Sequence, residues 1–318
     1  MAMRIFVAAG TGVLGRASLA PLVEAGYTVR STARGKEKAD LVRRLGAEPV
    51  ECDLYDPAFL GRAMSGCDAV IRLTTKIGSV LKIRDPKAWD ETNRLRTTGA
   101  RILVDAAIAT GVPVYLHESV TFVYADGGSN WLNEDSAVAH DNSLVLRSTL
   151  EGEQEAARFT QLGGRGVVLR FAAFYSADAP STTEMVSMAR KRMLNQIGRA
   201  ANYFSSIYVP DAGHAVTAAV NAPAGIYNVC DDEPVIFAEF LRIMTSAIGA
   251  KKPLHLPGFL GKPLFGQAWS YFSRSTRVSN AKLKEVTGWH PQVRSIREGW
   301  PRVATALNAS EAEIRKAA

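Results

Sequence analysis

Residues 3–34, MRIFVAAGTGVLGRASLAPLVEAGYTVRSTAR, constrain this chain more than any other stretch. An apolar run from Ile5 to Ala9 leads into Gly10-Thr11-Gly12-Val13-Leu14-Gly15. Leu14, Leu19, Leu22 and Val23 then recur at helical spacing, and Gly26 closes the helix before a second apolar strand, Tyr27–Val29. Strand, tight glycine turn and helix N-terminus together make a cradle for a pyrophosphate. One glycine permits the turn, one lets the backbone approach the phosphates, and one lets helix pack on strand. The free N–H groups and dipole of the helix start favour the anion. Gly10, Gly12, Val13, Leu14 and Gly15 are therefore the expected diphosphate contacts. A lone GxGxxG recurs by chance, and its weight here comes from lying between a strand and a helix.

At 318 residues the chain has room for one large α/β domain and a smaller lobe. No apolar run approaches the ~18 residues of a membrane span. The N-terminus runs straight into a strand without the charged n-region of a secretory leader, so a soluble, cytoplasmic protein is expected. Cys52, Cys67 and Cys230 lie far apart with no CxxC pair, which suggests neither a disulfide framework nor a metal site. The net charge of +7 gathers at Arg34-Gly-Lys36-Glu-Lys38, Arg43-Arg44 and Arg190-Lys191-Arg192. No aromatics interleave these clusters, so solvated helix faces and an anionic small molecule explain them more simply than a nucleic-acid partner.

The first 170 residues alternate strand and helix, the pattern of a doubly wound parallel sheet. Strands are expected at 3–9, 27–32, 48–52, 68–73, 112–117 and 165–171, with helices at 13–25, 36–45, 57–64, 87–110 and 143–162. Gly26, Gly46 and Gly111 end helices, and Asp56-Pro57 and Asp85-Pro86 begin them. Beyond 172 the alternation loosens, with helices near 181–197, 211–221, 236–248, 279–287 and 294–307 and strands at 204–209 and 225–230. The reading is a Rossmann-type dinucleotide domain over 1–178, to which 204–230 returns, and a substrate-side lobe over 179–203 and 231–318. Helices 87–110 and 143–162 keep apolar positions that a homodimer interface or the core could use.

A fold of this type that prefers NAD ends its second strand with a carboxylate for the ribose 2′-OH. Here that position reads Ser31-Thr32, flanked by Arg30 and Arg34, with Lys36 just beyond. Guanidinium groups there suit a 2′-phosphate, so NADP is expected, with Arg34 as the principal contact. Asp53-Leu54 ends the third strand, where Asp53 could take the adenine amino group. Arg72-Leu73-Thr74-Thr75 ends the fourth, beside the central ribose and phosphates.

By these features the chain resembles the extended short-chain dehydrogenase/reductase superfamily, in its epimerase/dehydratase branch. The resemblance is carried by the glycine turn, Asp53-Leu54…Asp56 and Gly66-Cys67-Asp68-Ala69-Val70. It continues through Val114-Tyr115…Ser119…Val123-Tyr124, Ser148…Glu153, Leu169-Arg170, Phe174-Tyr175, Tyr227-Asn228-Val229 and Gly288-Trp289-His290-Pro291. Ala9 stands where the family's first glycine falls. The family's chemistry lies in a Ser or Thr and a YxxxK pair, whose Lys lowers the phenol pKa so that Tyr passes a proton to the substrate oxygen. Aligning Ser148 and Glu153 puts Val145 and Thr149 at the Tyr and Lys positions, and Val120 at the Ser/Thr position. No other YxxxK occurs in the chain.

Three readings follow. In the first, the chain is an NADP-dependent oxidoreductase whose proton relay is rebuilt from Glu118, Ser119, Thr121, Tyr124 and Tyr175. Glu118 would emerge in a mostly apolar surround that raises its pKa, while packing is the stronger claim on Tyr124. In the second, hydride goes to an acceptor needing little proton help, such as a quinone or activated double bond. In the third, the chain binds NADP(H) as a sensor without turnover. Nucleotide-sugar epimerisation ranks last, because it leans most on the missing Tyr and Lys. Loop 118–142, with its Gly-Gly turn, Trp131 and Glu134-Asp135, reads as a lid or pocket rim. His140 reads as a surface residue, and Asp211 as the cap of the helix that carries His214. Phe259, Phe265, Trp269, Tyr271 and Phe272 would line the substrate side, where an apolar ring suits them, although their spacing equally fits core packing. Arg190, Arg192 and Arg277 keep a phosphorylated substrate open.

Overall fold

The protein was analysed as a computed structural model, which describes residues 2–75, 85–141, 143–266 and 269–317. Strand and helix alternate through β1 (Arg4–Ala8), α1 (Val13–Glu24), β2 (Thr28–Thr32), α2 (Lys36–Arg44), β3 (Glu48–Val50), α3 (Pro57–Met64) and β4 (Ala69–Arg72). A long helical stretch follows, made of a 3₁₀ turn (Pro86–Trp89), α4 (Asp90–Arg94), a π-helical turn (Leu95–Gly99) and α5 (Ala100–Ala109). Next come β5 (Val114–Val120), β6 (Trp131–Leu132), α6 (Leu144–Gln161), β7 (Arg165–Phe171), β8 (Ala173–Tyr175) and α7 (Pro180–Arg190). The later elements are β9 (Gln196–Ile197), β10 (Tyr203–Phe204), β11 (Ser206–Tyr208), α8 (Val209–Ala219), β12 (Gly225–Val229), β13 (Val235–Ile236) and α9 (Phe237–Ala247). The chain ends with β14 (His255–Leu256), α10 (Gly261–Phe265), α11 (Trp269–Phe272), β15 (Arg277–Val278), α12 (Ala281–Thr287) and α13 (Ile296–Ala317).

Seven strands form one sheet in the order β3-β2-β1-β4-β5-β7-β12, and every neighbouring pair is parallel. This is a Rossmann-type doubly wound α/β fold, with strand order reversing between β1 and β4. The pleat explains why β1 is apolar from Ile5 to Ala8. Ile5 and Val7 face α1 and α8, while Phe6 and Ala8 face α3 and α5, so both sheet faces bury their side chains. A third cluster around Phe240, Met244, Trp300 and Val303 is the core of the lobe. The short pairs β8–β11, β6–β15, β10–β13 and β9–β14 lie outside the seven-stranded sheet.

Local chemistry places the helix ends. Asp56 accepts from the Ala58 and Phe59 N–H groups, with Pro57 supplying the first helical turn. Asp85 does the same for the turn at Pro86, through Lys87 N–H. Gly26 lies at φ +87°, the left-handed conformation that lets the chain leave α1 and enter β2. Other expectations require correction. The helix expected over 87–110 is broken by the π turn, and that over 181–197 stops at Arg190. Asp211 does not cap α8, which begins at Val209; its carboxylate accepts from Gln292 and Val293 N–H at 3.0 and 2.9 Å and anchors the segment before α13.

Candidate functional site

The carboxyl ends of β1 to β4 open into a cleft of about 760 Å³. Its wall starts at Ala9, Thr11 and Gly12 and runs through Thr32, Ala33, Arg34 and Lys38. It then passes Glu51, Cys52, Asp53 and Leu54 to Thr74, Thr75 and Leu95. The glycine turn has the sterics of a cradle. A Cβ on Gly10 would lie 2.0 Å from Ser31 Oγ, and one on Gly15 would lie 2.3 Å from the Ala9 carbonyl. Both contacts are impossible, so these glycines hold the turn onto β2 and α1. Gly12 differs, since its nearest neighbour would be Ala9 O at 3.4 Å. The space over Gly12 is open, and Gly12 is also the N-cap residue of α1, with no side chain capping the helix start. An anion is the natural partner for those unpaired N–H groups. The residues present thus fit a dinucleotide diphosphate.

Each expected cofactor residue can now be placed. Gly10, Gly12 and Gly15 form the turn, Val13 stands in the first turn of α1, and Leu14 points into the core. Arg34, Asp53, Leu54, Thr74 and Thr75 line the cleft, whereas Leu73 is buried beside it. Three of the expected residues lie outside the cleft wall. Ser31 is fully buried beneath Gly10 and donates to Val7 O at 3.2 Å. Arg30 is drawn sideways into an ion pair with Glu48 at 2.9 Å, and Lys36 is paired with Asp40. Thr32 and Lys38 take their places in the cleft wall. Thr32 Oγ1 also accepts the Ala9 N–H at 2.8 Å, fastening β2 to the turn. Arg16, on the first turn of α1, reaches Asp178 at 2.9 Å and links the turn to the segment after β8. Burial pushes the Cys52 thiol up to about 11, which makes it an inert wall.

None of the five expected relay residues lines this cleft. Tyr175 is buried, stacks on Trp300 and donates to Asp231 Oδ2 at 3.3 Å, so it serves the lobe core. Tyr124 donates to Asn228 at 2.7 Å beneath the Arg170 guanidinium, and Ser119 donates to the Glu153 carboxylate. Thr121 is buried in the turn that follows β5. Glu118 is buried as well, and its Oε2 has no hydrogen-bonding partner among the described residues. Burial raises its pKa, as expected, against the pull of Arg72 and Arg96. The surround is therefore charged rather than apolar. Arg72 is fully buried and donates to Leu95 O at 2.9 Å and Glu118 O at 3.4 Å. Arg96 donates to Thr149 Oγ1 at 2.8 Å, and burial lowers its pKa to about 10. Beside them His117 is held neutral by burial and both arginines.

Arg96 escaped sequence reasoning because an Arg on a helix reads as exposed, whereas Arg72, expected beside the cofactor at the end of the fourth strand, is buried in the floor. Loop 118–142 is pinned rather than free. Glu134 accepts the Asn228 N–H at 2.8 Å, and Arg277 stacks over Trp131 at 4.2 Å. His140 and His214 are exposed. Of the lobe aromatics, Phe259 is exposed while Phe265, Trp269 and Phe272 pack on one another. Tyr271 reaches Ser143 at the start of α6. No group of His, Cys, Asp or Glu among the described residues could hold a metal, and no helix there is long and apolar enough to cross a membrane.

Residues 5–230 match the family described as the NAD dependent epimerase/dehydratase family. A 3-diazoavenalumate denitrifying reductase from Streptomyces sp is 30% identical over 316 residues, covering 94% of this chain and 100% of its own. A ketoreductase of a 4-hydroxy-2-methyl-3-oxo-4-farnesyl-3,4-dihydroquinoline-1-oxide, from Stigmatella aurantiaca, is 26% identical over 78% of this chain and 74% of its own. Among solved structures, the Thermus thermophilus UDP-glucose 4-epimerase with NAD superposes with a TM-score of 0.75 at 21% identity, over 97% of this chain and 100% of its own. A human epimerase family protein with NADPH gives 0.78 at 19% identity, over 95% and 99%.

Proposed function

The chain belongs to the NAD dependent epimerase/dehydratase family, and from that premise we propose that it is an NADP(H)-dependent reductase of a small carbonyl or conjugated substrate. The observation that carries this reading is the pair Arg34 and Lys38 on the cleft wall beside the end of β2, where Thr32 and Ala33 leave no carboxylate. Two similar proteins are named as reductases, one of them a ketoreductase of a ring ketone. When bound, the nicotinamide supplies hydride. The chain's own part is to hold and to orient. Gly12 and the α1 N-terminus take the diphosphate, Arg34 and Lys38 take the 2′-phosphate, and Asp53 faces the adenine side. Glu118 lies in the buried floor, where burial raises its carboxyl pKa against the pull of Arg72 and Arg96.

Fluorescence titration with NADPH and NADH tests the cofactor assignment. Arg34→Ala should weaken NADPH by about tenfold and leave NADH alone, the scale of one charge-assisted hydrogen bond. Gly12→Ala should keep the melting temperature, since its Cβ meets nothing closer than 3.4 Å, yet weaken both dinucleotides. Wild-type protein binding NADH as tightly as NADPH would overturn the assignment. A panel of ketones, enones and quinones with NADPH then tests the reaction. The burial of Ser119, Tyr124 and Tyr175 favours a second reading, NADP(H) binding without turnover. Tight binding with a silent panel would select it.

A further inference from the structure

Two side chains from distant parts of the chain converge on the first turns of α6. The phenol of Tyr271, on α11, hydrogen-bonds the hydroxyl of Ser143. Ser143 is the N-cap of α6, and its Oγ accepts the Leu146 N–H at 3.3 Å. From the other side, the π turn delivers Arg96, whose guanidinium donates to Thr149 Oγ1 at 2.8 Å. Thr149 in turn donates to the Val145 carbonyl at 2.7 Å. Val145 and Thr149 are four residues apart and share one helix face. A phenol thus stands at the N-cap of α6 and a cation on its second turn, six residues apart along the helix, although neither belongs to α6.

We propose that Tyr271 and Arg96 are the proton donor and its supporting cation in the reduction proposed above, with Tyr271 the catalytic residue and Arg96 a positioning residue. The other buried phenols are committed elsewhere. Tyr124 is bonded to Asn228, Tyr175 to Asp231, and Tyr115 lies against His117. Tyr271 is half-buried, and its oxygen bonds the small hydroxyl of Ser143. As a carbonyl carbon gains hydride, negative charge grows on the carbonyl oxygen. The phenol O–H bond then breaks as the substrate O–H bond forms, and the phenolate regains a proton from water.

The surroundings suit a group that must carry negative charge briefly. The N-terminus of an 18-residue helix points at the phenol oxygen, contributing roughly half a positive charge. The Arg274 guanidinium lies 5.1 Å from the ring centroid, and Arg96 is within electrostatic reach. Against these stand burial and the Asp141 carboxylate, which keep the phenol protonated at neutral pH. Glu118 and Glu153 face Arg96 and hold it charged. The residue therefore begins each cycle as a donor.

The proposal rests on the reductase reading, so its test includes a readout that needs no cofactor. Alkaline titration of tyrosine absorbance, with Tyr271→Phe subtracted from wild type, isolates the Tyr271 phenol. Arg96→Met should move that midpoint upward, and Arg96→Lys should leave it near the wild-type position. Should Tyr271→Phe fail to fold, Ser143→Ala reports the same phenol through loss of its partner. In turnover, Tyr271→Phe should lower kcat by about 100-fold, the lower end of what a positioned general acid contributes, with NADPH affinity unchanged. Arg96→Lys should recover most of what Arg96→Met loses. A Tyr271 titration indifferent to Arg96→Met, or a Tyr271→Phe enzyme with kcat within about threefold of wild type, would overturn the pairing. If wild type reduces nothing on the panel, the reductase reading fails, and the titration alone still decides whether the pair exists.

Discussion

The glycine turn over Ala9–Gly15 and the polar floor beneath α6 are stabilised in opposite ways. At the turn, recognition lies in the backbone. Gly10 and Gly15 leave no room for a Cβ, while Arg34 and Lys38 on the cleft wall stand in solvent. In the floor, charge itself is buried. Arg72, Arg96, Glu118, Glu153 and Arg170 are drawn from β4, the π turn, β5, α6 and β7. An exposed charge is cheap to change and a buried one is not, whereas added volume is tolerated least at the turn. Substitutions that separate charge from volume therefore have different expected costs at the two places.

The largest effect is expected in the floor. Arg170 holds Glu153 through two parallel hydrogen bonds, at 2.8 and 2.7 Å, with both side chains under a tenth exposed. Arg170→Met leaves the carboxylate buried without its cation and should cost about 3–5 kcal/mol in urea unfolding. A joint Arg170→Met, Glu153→Leu variant should recover much of that loss, because both charges then go together. A loss below about 1 kcal/mol, the range of exposed pairs, would erase the contrast.

A smaller, pH-dependent effect is expected at Asp231, at the end of β12. Its carboxyl is 2% exposed and accepts from Ser206 and Tyr175, while Oδ1 has no partner among the described residues. Burial, with Asp211 adding repulsion, pushes the group well above the usual carboxylate range. The folded state then binds the proton more tightly than the unfolded state. Stability is fullest below the unfolded value and falls as pH rises towards the folded one. Asp231→Asn keeps the shape and removes this dependence. It should gain on the order of 1–2 kcal/mol over wild type at pH 8, where a tenfold difference in proton affinity between the two states corresponds to about 1.4 kcal/mol, and nothing near pH 4. A gain of equal size at both pH values would show that titration is not the cause.

The same contrast governs what the sequence made legible. The sheet was readable because each strand and helix of 1–170 carries its own punctuation, as Gly26, Asp56-Pro57 and Asp85-Pro86 do. Within the turn, backbone requirements were readable and side-chain directions were not. Ser31 and Thr32 are neighbours on β2, and the two-residue alternation sends one beneath Gly10 and the other into the cleft. Lys38 lines the cleft, whereas Lys36 turns to Asp40 on its own helix. The floor was almost illegible. Arg96 meets Thr149 across 53 positions and Tyr271 meets Ser143 across 128, and no local pattern records either meeting.

The smallest effect is expected at the turn and concerns conformation alone. Ala9 sits at φ +69°, in the left-handed region, where a Cβ is crowded by the carbonyl that follows. Its N–H bond to Thr32 and its carbonyl bond from Gly12 hold it there, at 2.8 and 3.1 Å. Ala9→Gly relieves roughly 1 kcal/mol of strain, while the freer unfolded chain takes back about 0.4–1 kcal/mol. The net change in stability should be a gain of no more than about 0.5 kcal/mol, which calorimetry would read as a rise in Tm of about 1–2 °C. Both backbone bonds survive the change, so NADPH affinity should stay close to wild type. Ala9→Val tests the same strain from the other side, because branching at Cβ makes the left-handed conformation costlier and should lower Tm. A loss of stability in Ala9→Gly would mean that the Ala9 methyl contributes packing greater than its strain, and that the turn, like the floor, depends on its side chains.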